Sequence, residues 1–256
     1  MASKGMDWIE PDWPAPAAVR ALCTTRSGGV SRGTYASLNL ADHVGDEPSR
    51  VEQNRALLRA HLGLSADPHW LRQVHGCSVA DVSADARGCQ ADAAIALRPG
   101  EVCAVMTADC LPLLLCDRGG CRVAAAHAGW RGLAEGVIEA AVARLAVPPR
   151  DVLCWLGPAI GPQAFEVGAE VRARFLAEGG DDAEAAFRPV PGGKWLADLY
   201  SLARMRLRRC GIHGVWGGGL CTYSDRERFF SYRRDGATGR MASLIWIDQS
   251  VAHREM

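Results

Sequence analysis

The chain has 256 residues, 48% hydrophobic and 23% charged, a balance that favours a folded globular protein and excludes the charge-rich compositions of disordered chains. Lys plus Arg and Asp plus Glu each total 29, so no bulk field exists to hold nucleic acid or an anionic membrane, and neither is expected as a partner. Ten cysteines spread over a chain this long, several inside apolar runs, read as reduced thiols and not as a disulfide framework. No signal-peptide-like stretch occupies Met1–Pro16. The most apolar region, Val102–Ala128, is interrupted by Asp109, Pro112, Asp117 and Arg118 before a membrane span accumulates, so a cytoplasmic protein is expected.

In chain order, a strand is predicted at Val19–Thr25, then a Gly/Ser-rich loop, then a helix from near Pro48 with Val51, Arg55, Leu58 and Leu62 at helical spacing. Short strands follow around Trp70–His75 and Ser78–Val82. The middle third carries β-like runs at Val102–Met106, Leu111–Cys116 and Arg122–Ala126, followed by one amphipathic helix with Leu133, Val137, Ile138, Ala141, Val142 and Leu145 on one face, stopped by Pro148-Pro149. The last third predicts a strand at Val152–Leu156, helices over Gly168–Glu178 and Ala197–Cys210, and closing strands near Phe229–Tyr232 and Ser243–Ile247. Gly179–Lys194 is the candidate interior linker or flap. Strands before and after it favour one compact α+β domain over residues 1–256, with mixed and antiparallel sheets flanked by helices.

Asp117-Arg-Gly-Gly120 separates two β-like runs and reads as the turn of an antiparallel hairpin. With Cys116 opposite Cys121, the register sets Cys110 across from His127, their Cβ atoms ~4.5–5.5 Å apart on one face. That is close enough to ligate one metal or to share a proton. Pro112, which cannot donate to the ladder, is the weak point of this register. His75, at the glycine turn of Leu71-Arg-Gln-Val-His-Gly76, is a third candidate ligand. Two His and one Cys match a catalytic zinc site with one open position, whose chemistry is Lewis-acid polarisation or water activation. Without a metal the same residues read otherwise: Cys110 as a small core residue, His75 as a polar loop residue, Asp109 as a strand-end cap or as a general acid/base.

Arg26-Ser-Gly-Gly-Val-Ser-Arg-Gly33 is a candidate anion loop, although it matches neither a Walker loop nor a dinucleotide fingerprint, and a mobile surface loop is its alternative. Arg131, at the start of the long helix after Gly129-Trp130, is a second anion candidate or plain surface charge. Phe229-Phe-Ser-Tyr-Arg-Arg-Asp235 interleaves aromatic and basic residues, but an ordinary closing strand is the preferred reading.

Several segments taken together resemble the YfiH family, variously called polyphenol oxidase or laccase-domain proteins and purine nucleoside phosphorylases. They are Thr24-Thr-Arg-Ser-Gly-Gly-Val-Ser31, Ser37-Leu-Asn-Leu40, Gln73-Val-His-Gly76, Cys103-Ala-Val-Met-Thr-Ala-Asp-Cys-Leu-Pro112, Ala126-His-Ala-Gly-Trp-Arg-Gly132, Gly157-Pro-Ala-Ile-Gly-Pro162 and Phe229-Phe-Ser-Tyr-Arg-Arg-Asp235. The resemblance implies His75, Cys110 and His127 as metal ligands, usually of zinc. It also implies phosphorolysis of adenosine, inosine and S-methyl-5′-thioadenosine, with adenosine deamination as a second activity. Arg26, Asn39, Asp109 and Arg131 are carried over as pocket candidates. Copper and the oxidase label fit less well, because none of the seven histidines forms a His-x-His pair.

The expected function is therefore a zinc-dependent purine nucleoside phosphorylase and adenosine deaminase. In this scheme Asp109 shuttles a proton during deamination, and Arg26 or Arg131 holds the phosphate that attacks the ribose C1′. The alternatives are a metal-free hydrolase with Cys110 activated by His127, a copper-dependent polyphenol oxidase, and a metal-stabilised binding module with the peptidoglycan-related role that the resemblance also suggests. Purine nucleosides and phosphate are the expected small-molecule partners, and the oligomeric state stays open.

Overall fold

The computed structural model describes residues 5–252. Its elements are β1 (Trp8–Ile9), β2 (Val19–Thr24), α1 (Pro48–Leu62), β3 (Val79–Asp81), β4 (Ala93–Ala96), β5 (Val102–Thr107), β6 (Leu111–Asp117) and β7 (Val123–Ala128), followed by α2 (Trp130–Glu135), α3 (Val137–Leu145) and β8 (Val152–Leu156). Then come β9 (Glu166–Val167), α4 (Ala169–Gly179), α5 (Asp181–Glu184), β10 (Phe187–Val190), β11 (Lys194–Ala197), α6 (Leu199–Arg209), β12 (Gly214–Gly217), α7 (Tyr232–Asp235), β13 (Met241–Ile247) and α8 (Gln249–Ala252). The fold is α+β, as the mixture of strand and helix periods leads one to expect. All ten cysteines are free. Among the described residues no helix is long and apolar enough to cross a membrane.

The sheets are a four-stranded one in the order β1-β2-β13-β5, a mixed six-stranded one in the order β12-β8-β6-β7-β4-β3, and a small β10-β11-β9 sheet. Alternation along β6 shows how the layers stack. Leu111, Leu113 and Leu115 face a helical layer with Leu133, Ile138 and Leu202. Leu114 and Cys116 face the four-stranded sheet through Val105 and Ile245. The far side of that sheet, with Leu22, Ala104 and Leu244, is covered by Leu58 of α1 and by Leu38 and Leu40. Each fully buried leucine contributes about 1.5–3 kcal/mol, so the leucines of β6 pin this strand in the middle of the molecule.

Several expectations are corrected. The amphipathic run after His127 is two helices, because Gly136 adopts φ 100° between α2 and α3; the expected apolar face is nevertheless buried. Trp70–His75 forms no strand; it makes one isolated bridge, Arg72–Gln90, next to the His69–Cys103 bridge that precedes it. Its Gln73 side chain replaces a ladder, with Nε2 donating to Met106 O and Met106 N donating to Oε1, both at 2.8 Å. Phe229–Tyr232 is not a strand either. Phe229 and Phe230 are fully buried, and Ser231 Oγ caps α7 by accepting from Arg234 N. Gly179–Lys194 is not a linker or flap, because α5 and the β10–β11 hairpin occupy it and β11 also pairs with β9.

The hairpin register also differs from expectation. The β6–β7 pair is antiparallel, but Leu111 faces Ala128, Pro112 faces His127 and Cys116 faces Val123. The loop closes one residue later because the Asp117 carboxylate accepts from the N–H groups of Cys121 and Arg122, at 2.8 and 2.7 Å, and Asp117 N donates to Arg122 O. The slip is an even number of residues, so every side chain keeps its face. Pro112 is tolerated near the strand start, where its missing N–H breaks no ladder of the interior.

Candidate metal centre

Cys110 and His127 meet despite the changed register, and Gly129 is the reason. One rung beyond Leu111–Ala128, Cys110 is set against Gly129, and a Cβ there would lie 3.0 Å from Cys110 Sγ and 2.7 Å from His75 Cδ2. With no side chain in that space, the sulfur reaches the imidazole diagonally along the face and His75 closes from above. The ligand atoms of His75, Cys110 and His127 all lie within 4.8 Å of one another. Cys110 Sγ is 3.8 Å from His75 Nε2, and the two imidazole rings meet edge to face with centroids 4.8 Å apart.

Each candidate ligand is positioned by a different device. His127 sits in the middle of the six-stranded sheet. The β4–β7 register pairs Ala93 with Ala126, which brings Asp92 opposite His127. His127 N donates to Asp92 O at 2.7 Å, and Nδ1 donates to the Asp92 carboxylate at 2.8 Å, which leaves Nε2 as the free ring nitrogen. His75 is held by a turn: the N–H groups of Val74, His75 and Gly76 all donate to Asp92 at 2.8–3.1 Å, and His75 takes φ 63°. Cys110 follows Asp109, another non-glycine residue at positive φ, 99°. Such conformations are uncommon and persist where surrounding bonds over-determine them. Here Asp109 Oδ1 accepts from Thr222 Oγ at 2.7 Å, Oδ2 from Arg233 N at 2.7 Å, and its carbonyl from Ile160 N at 2.9 Å.

The electrostatics follow from this packing. Burial pushes the Cys110 thiol up, but the charge and hydrogen bond of His127, then those of His75, outweigh it and leave the thiol well below 9.0. Burial pulls His127 down, but Cys110 and the Asp92 hydrogen bond outweigh it and leave the imidazole well above 6.5. Asp92 is likewise raised by burial and, more strongly, lowered by His127 and by the backbone N–H groups of Gly76 and Val74. A thiolate beside two imidazoles is a soft three-ligand set. A tetrahedral zinc site would space its nitrogen and sulfur atoms roughly 3.3–3.8 Å apart, so the 3.8 Å Cys110–His75 separation fits an ion between them. Among the described residues no other group of three such side chains converges.

The remaining sequence candidates separate. Asn39 is fully buried and spent: Nδ2 donates to Ala41 O and Asp46 Oδ2, and Oδ1 accepts from the N–H groups of Ala41 and Arg240. It has no free polar atom for a substrate. Arg26 donates to the carbonyls of Ala36 and Arg226 and stacks on Phe230 at 4.7 Å. The glycine loop after it is not an open cradle, since the N–H groups of Gly29, Val30 and Ser31 are taken by Ser37 Oγ, Asn54 Oδ1 and Ser37 O. Arg131 is exposed on the first turn of α2, over the Trp130 ring at 4.8 Å. Asp92, the carboxylate that orients two ligands, escapes sequence reasoning because Ala93-Ala-Ile-Ala96 has little of the β-branched character that marks a strand.

Comparison with known proteins agrees with this architecture. Residues 20–248 match the family model described as multi-copper polyphenol oxidoreductase laccase. The chain is 57% identical over 242 residues to a Pseudomonas aeruginosa protein named purine nucleoside phosphorylase, covering 94% of this chain and 98% of that one. It is 54% identical over 241 residues to the Escherichia coli purine nucleoside phosphorylase YfiH, covering 93% and 98%. Among solved structures, a Neisseria meningitidis protein of family DUF152 superposes with a TM-score of 0.90 at 52% identity, covering 94% of this chain and 99% of the other.

Proposed function

This chain belongs to the YfiH family, described as multi-copper polyphenol oxidoreductase laccase, and from that premise we propose that it is a zinc-dependent purine nucleoside phosphorylase. The observation that carries the reading is the convergence of His75, Cys110 and His127 within 4.8 Å, a three-residue donor set of the kind that would hold a catalytic zinc. The relatives' name, purine nucleoside phosphorylase, supports purine nucleosides and phosphate as the substrate class; within that class we assign adenosine, inosine and S-methyl-5′-thioadenosine, with adenosine deamination as a second reaction of the same site. A multi-copper oxidase would need further ligand clusters, which the described residues do not offer.

In phosphorolysis a phosphate oxygen bonds to the ribose C1′ as the C1′–N9 bond breaks, giving ribose 1-phosphate and the free base. In deamination water replaces the C6 amino group and ammonia leaves. Zinc held by His75, Cys110 and His127 would supply Lewis-acid polarisation at its open position. The protein's part is preorganisation. Asp92 fixes the tautomer of His127 and the turn that carries His75, and Cys110 enters as thiolate. Asp109 lies beside the trio, but both its carboxylate oxygens already accept hydrogen bonds. We therefore assign it the role of holding Thr222 and α7 against the site; a proton shuttle through it would require one of those bonds to break.

A second reading is favoured by the lowered Cys110 thiol next to His127: a metal-free hydrolase with Cys110 as nucleophile. One experiment separates the two. Adenosine and inosine are incubated with phosphate, with and without chelator, and the products are resolved by chromatography alongside metal analysis. Free base and ribose phosphate lost on chelation fit phosphorolysis, and chelator-sensitive inosine from adenosine fits deamination. Metal-free protein that hydrolyses esters and is inactivated by alkylation of Cys110 ends the zinc reading.

A further inference from the structure

Strand β13 begins at Met241, which pairs with Thr107 at the end of β5. The preceding residue, Arg240, is thereby placed alongside the Ala108–Cys110 loop that delivers the sulfur. Its backbone N–H donates to Asn39 Oδ1 at 3.0 Å, and Nη1 donates to the carbonyls of Thr238 and Gly239 at 2.8 and 3.0 Å. The guanidinium carbon is 5.8 Å from the ring centroid of Tyr232, an aromatic residue left 62% exposed. Both side-chain bonds hold Nη1. Among the described residues, Nε and Nη2 have no acceptor and no carboxylate lies within ion-pair distance. Neither atom is sealed from solvent without a partner, as Nη2 of Arg55 and Nε of Arg206 are.

The neighbouring guanidiniums are committed to different degrees. Arg234 spends all its donors on Asp235 and on the carbonyls of Thr222, Tyr223 and Phe229. Arg26 holds Ala36 O and Arg226 O, and Arg233 holds Glu166 O. Arg240 is half-buried where Arg233 is exposed, and its guanidinium is clamped along one edge and open along the other. Burial lowers its pKa, while the nearby charges of Cys110 and Asp109 oppose that, as expected for a cation close to the centre. A rigidly held guanidinium with a free two-donor edge matches the geometry of a tetrahedral oxyanion.

We propose that Arg240 is the anion-binding residue of this site, taking inorganic phosphate on its Nε/Nη2 edge, with Tyr232 forming the adjoining wall. The assignment rests on the phosphorolysis reading for its role in turnover, but phosphate binding itself does not depend on that reading. Arg240→Gln keeps a planar polar head without charge, and Arg240→Lys keeps charge without the fork. With zinc content and melting temperature measured on each variant, initial rates are recorded against phosphate and inosine separately. Loss of a charge-assisted bond predicts that KM for phosphate rises roughly 10- to 100-fold in R240Q. R240K is expected to lie between it and wild type, and KM for inosine to change much less. In parallel, phosphate alone is titrated into the zinc-loaded protein and the rise in melting temperature recorded; wild type shifts and R240Q does not. The assignment is overturned if wild type gains nothing from phosphate, if R240Q gains as much, or if R240Q raises KM for inosine and not for phosphate. A phosphate-dependent shift lost in R240Q, without phosphorolysis of any purine nucleoside, would retain the anion site and sink the proposed reaction.

Discussion

Asp92 Oδ1 accepts hydrogen bonds from both His75 N, at 2.9 Å, and His127 Nδ1, at 2.8 Å, so one fully buried carboxylate orients two candidate ligands that are 52 positions apart in the chain. It couples the turn that carries His75 to the strand that carries His127. Asp92→Asn keeps an acceptor but also presents donors to N–H groups. It is expected to weaken zinc binding about 10–100-fold, measured by competition with a chromophoric chelator. Asp92→Ala also orphans three backbone N–H groups and should cost about 3–5 kcal/mol in urea unfolding. An unchanged zinc affinity in D92N would show that the orientation does not matter.

Gly129 makes room for the trio. Its φ of −62° suits any residue, so Gly129→Ala strains nothing in the backbone and acts only through its methyl group against His75 and Cys110. The expected result is near-wild-type melting of the metal-free protein with at least about tenfold weaker zinc binding, the loss tied to ligands displaced from their geometry. Equal loss of stability and of metal would instead place the effect in the fold.

Cys110 should remain reactive at pH values where ordinary thiols are silent. Although burial raises it, His127 and His75 hold its pKa well below 9.0, so in metal-free protein the thiolate persists below pH 9 and is lost only as pH falls through that lowered value. The stability this group contributes has the same sign: fully present above 9.0 and lost on acidification. Alkylation by iodoacetamide, followed peptide by peptide in a mass spectrometer, should show the Cys110 profile displaced to lower pH relative to the same peptide in urea. Saturating zinc should suppress it. Coincident profiles would reject the thiolate.

Arg206 tests the helical layer independently of chemistry. Its side chain, 9% exposed, bridges Glu139 of α3 and Glu178 of α4 and donates to Ala134 O at the end of α2. Arg206→Ala leaves the buried Ala134 carbonyl without its donor and two part-exposed glutamates without their cation, and should cost about 1–3 kcal/mol. Arg206→Met, which refills the volume, should recover part of that loss in the same urea titration.

Local patterns were enough to read much of the scaffold. The continuous apolar run Leu111–Leu115, the helical spacing from Val51 to Leu58 and the apolar face from Leu133 to Leu145 each state their own burial, because a short uninterrupted apolar run marks a strand covered on both faces and the 3.6-residue period marks a helix face. Cys110 and His127 were legible as a pair for the same reason: face parity survives a two-residue slip, so even the shifted register leaves them together.

What the residues alone could not convey is whatever depends on a partner distant in the chain. Asp92 matters because an alanine-rich strand, with Ile95 as its one β-branched residue, lies beside His127, and Arg240 because β13 returns to pair with Thr107 of β5. Arg26 and Asn39 look like binding residues in their motifs, but other segments consume every donor of Asn39 and hold Arg26 through Nε and Nη1. Periodicity sets which face a side chain takes; only the packed structure decides which of its hydrogen bonds remain unmade, and those unmade bonds define the site.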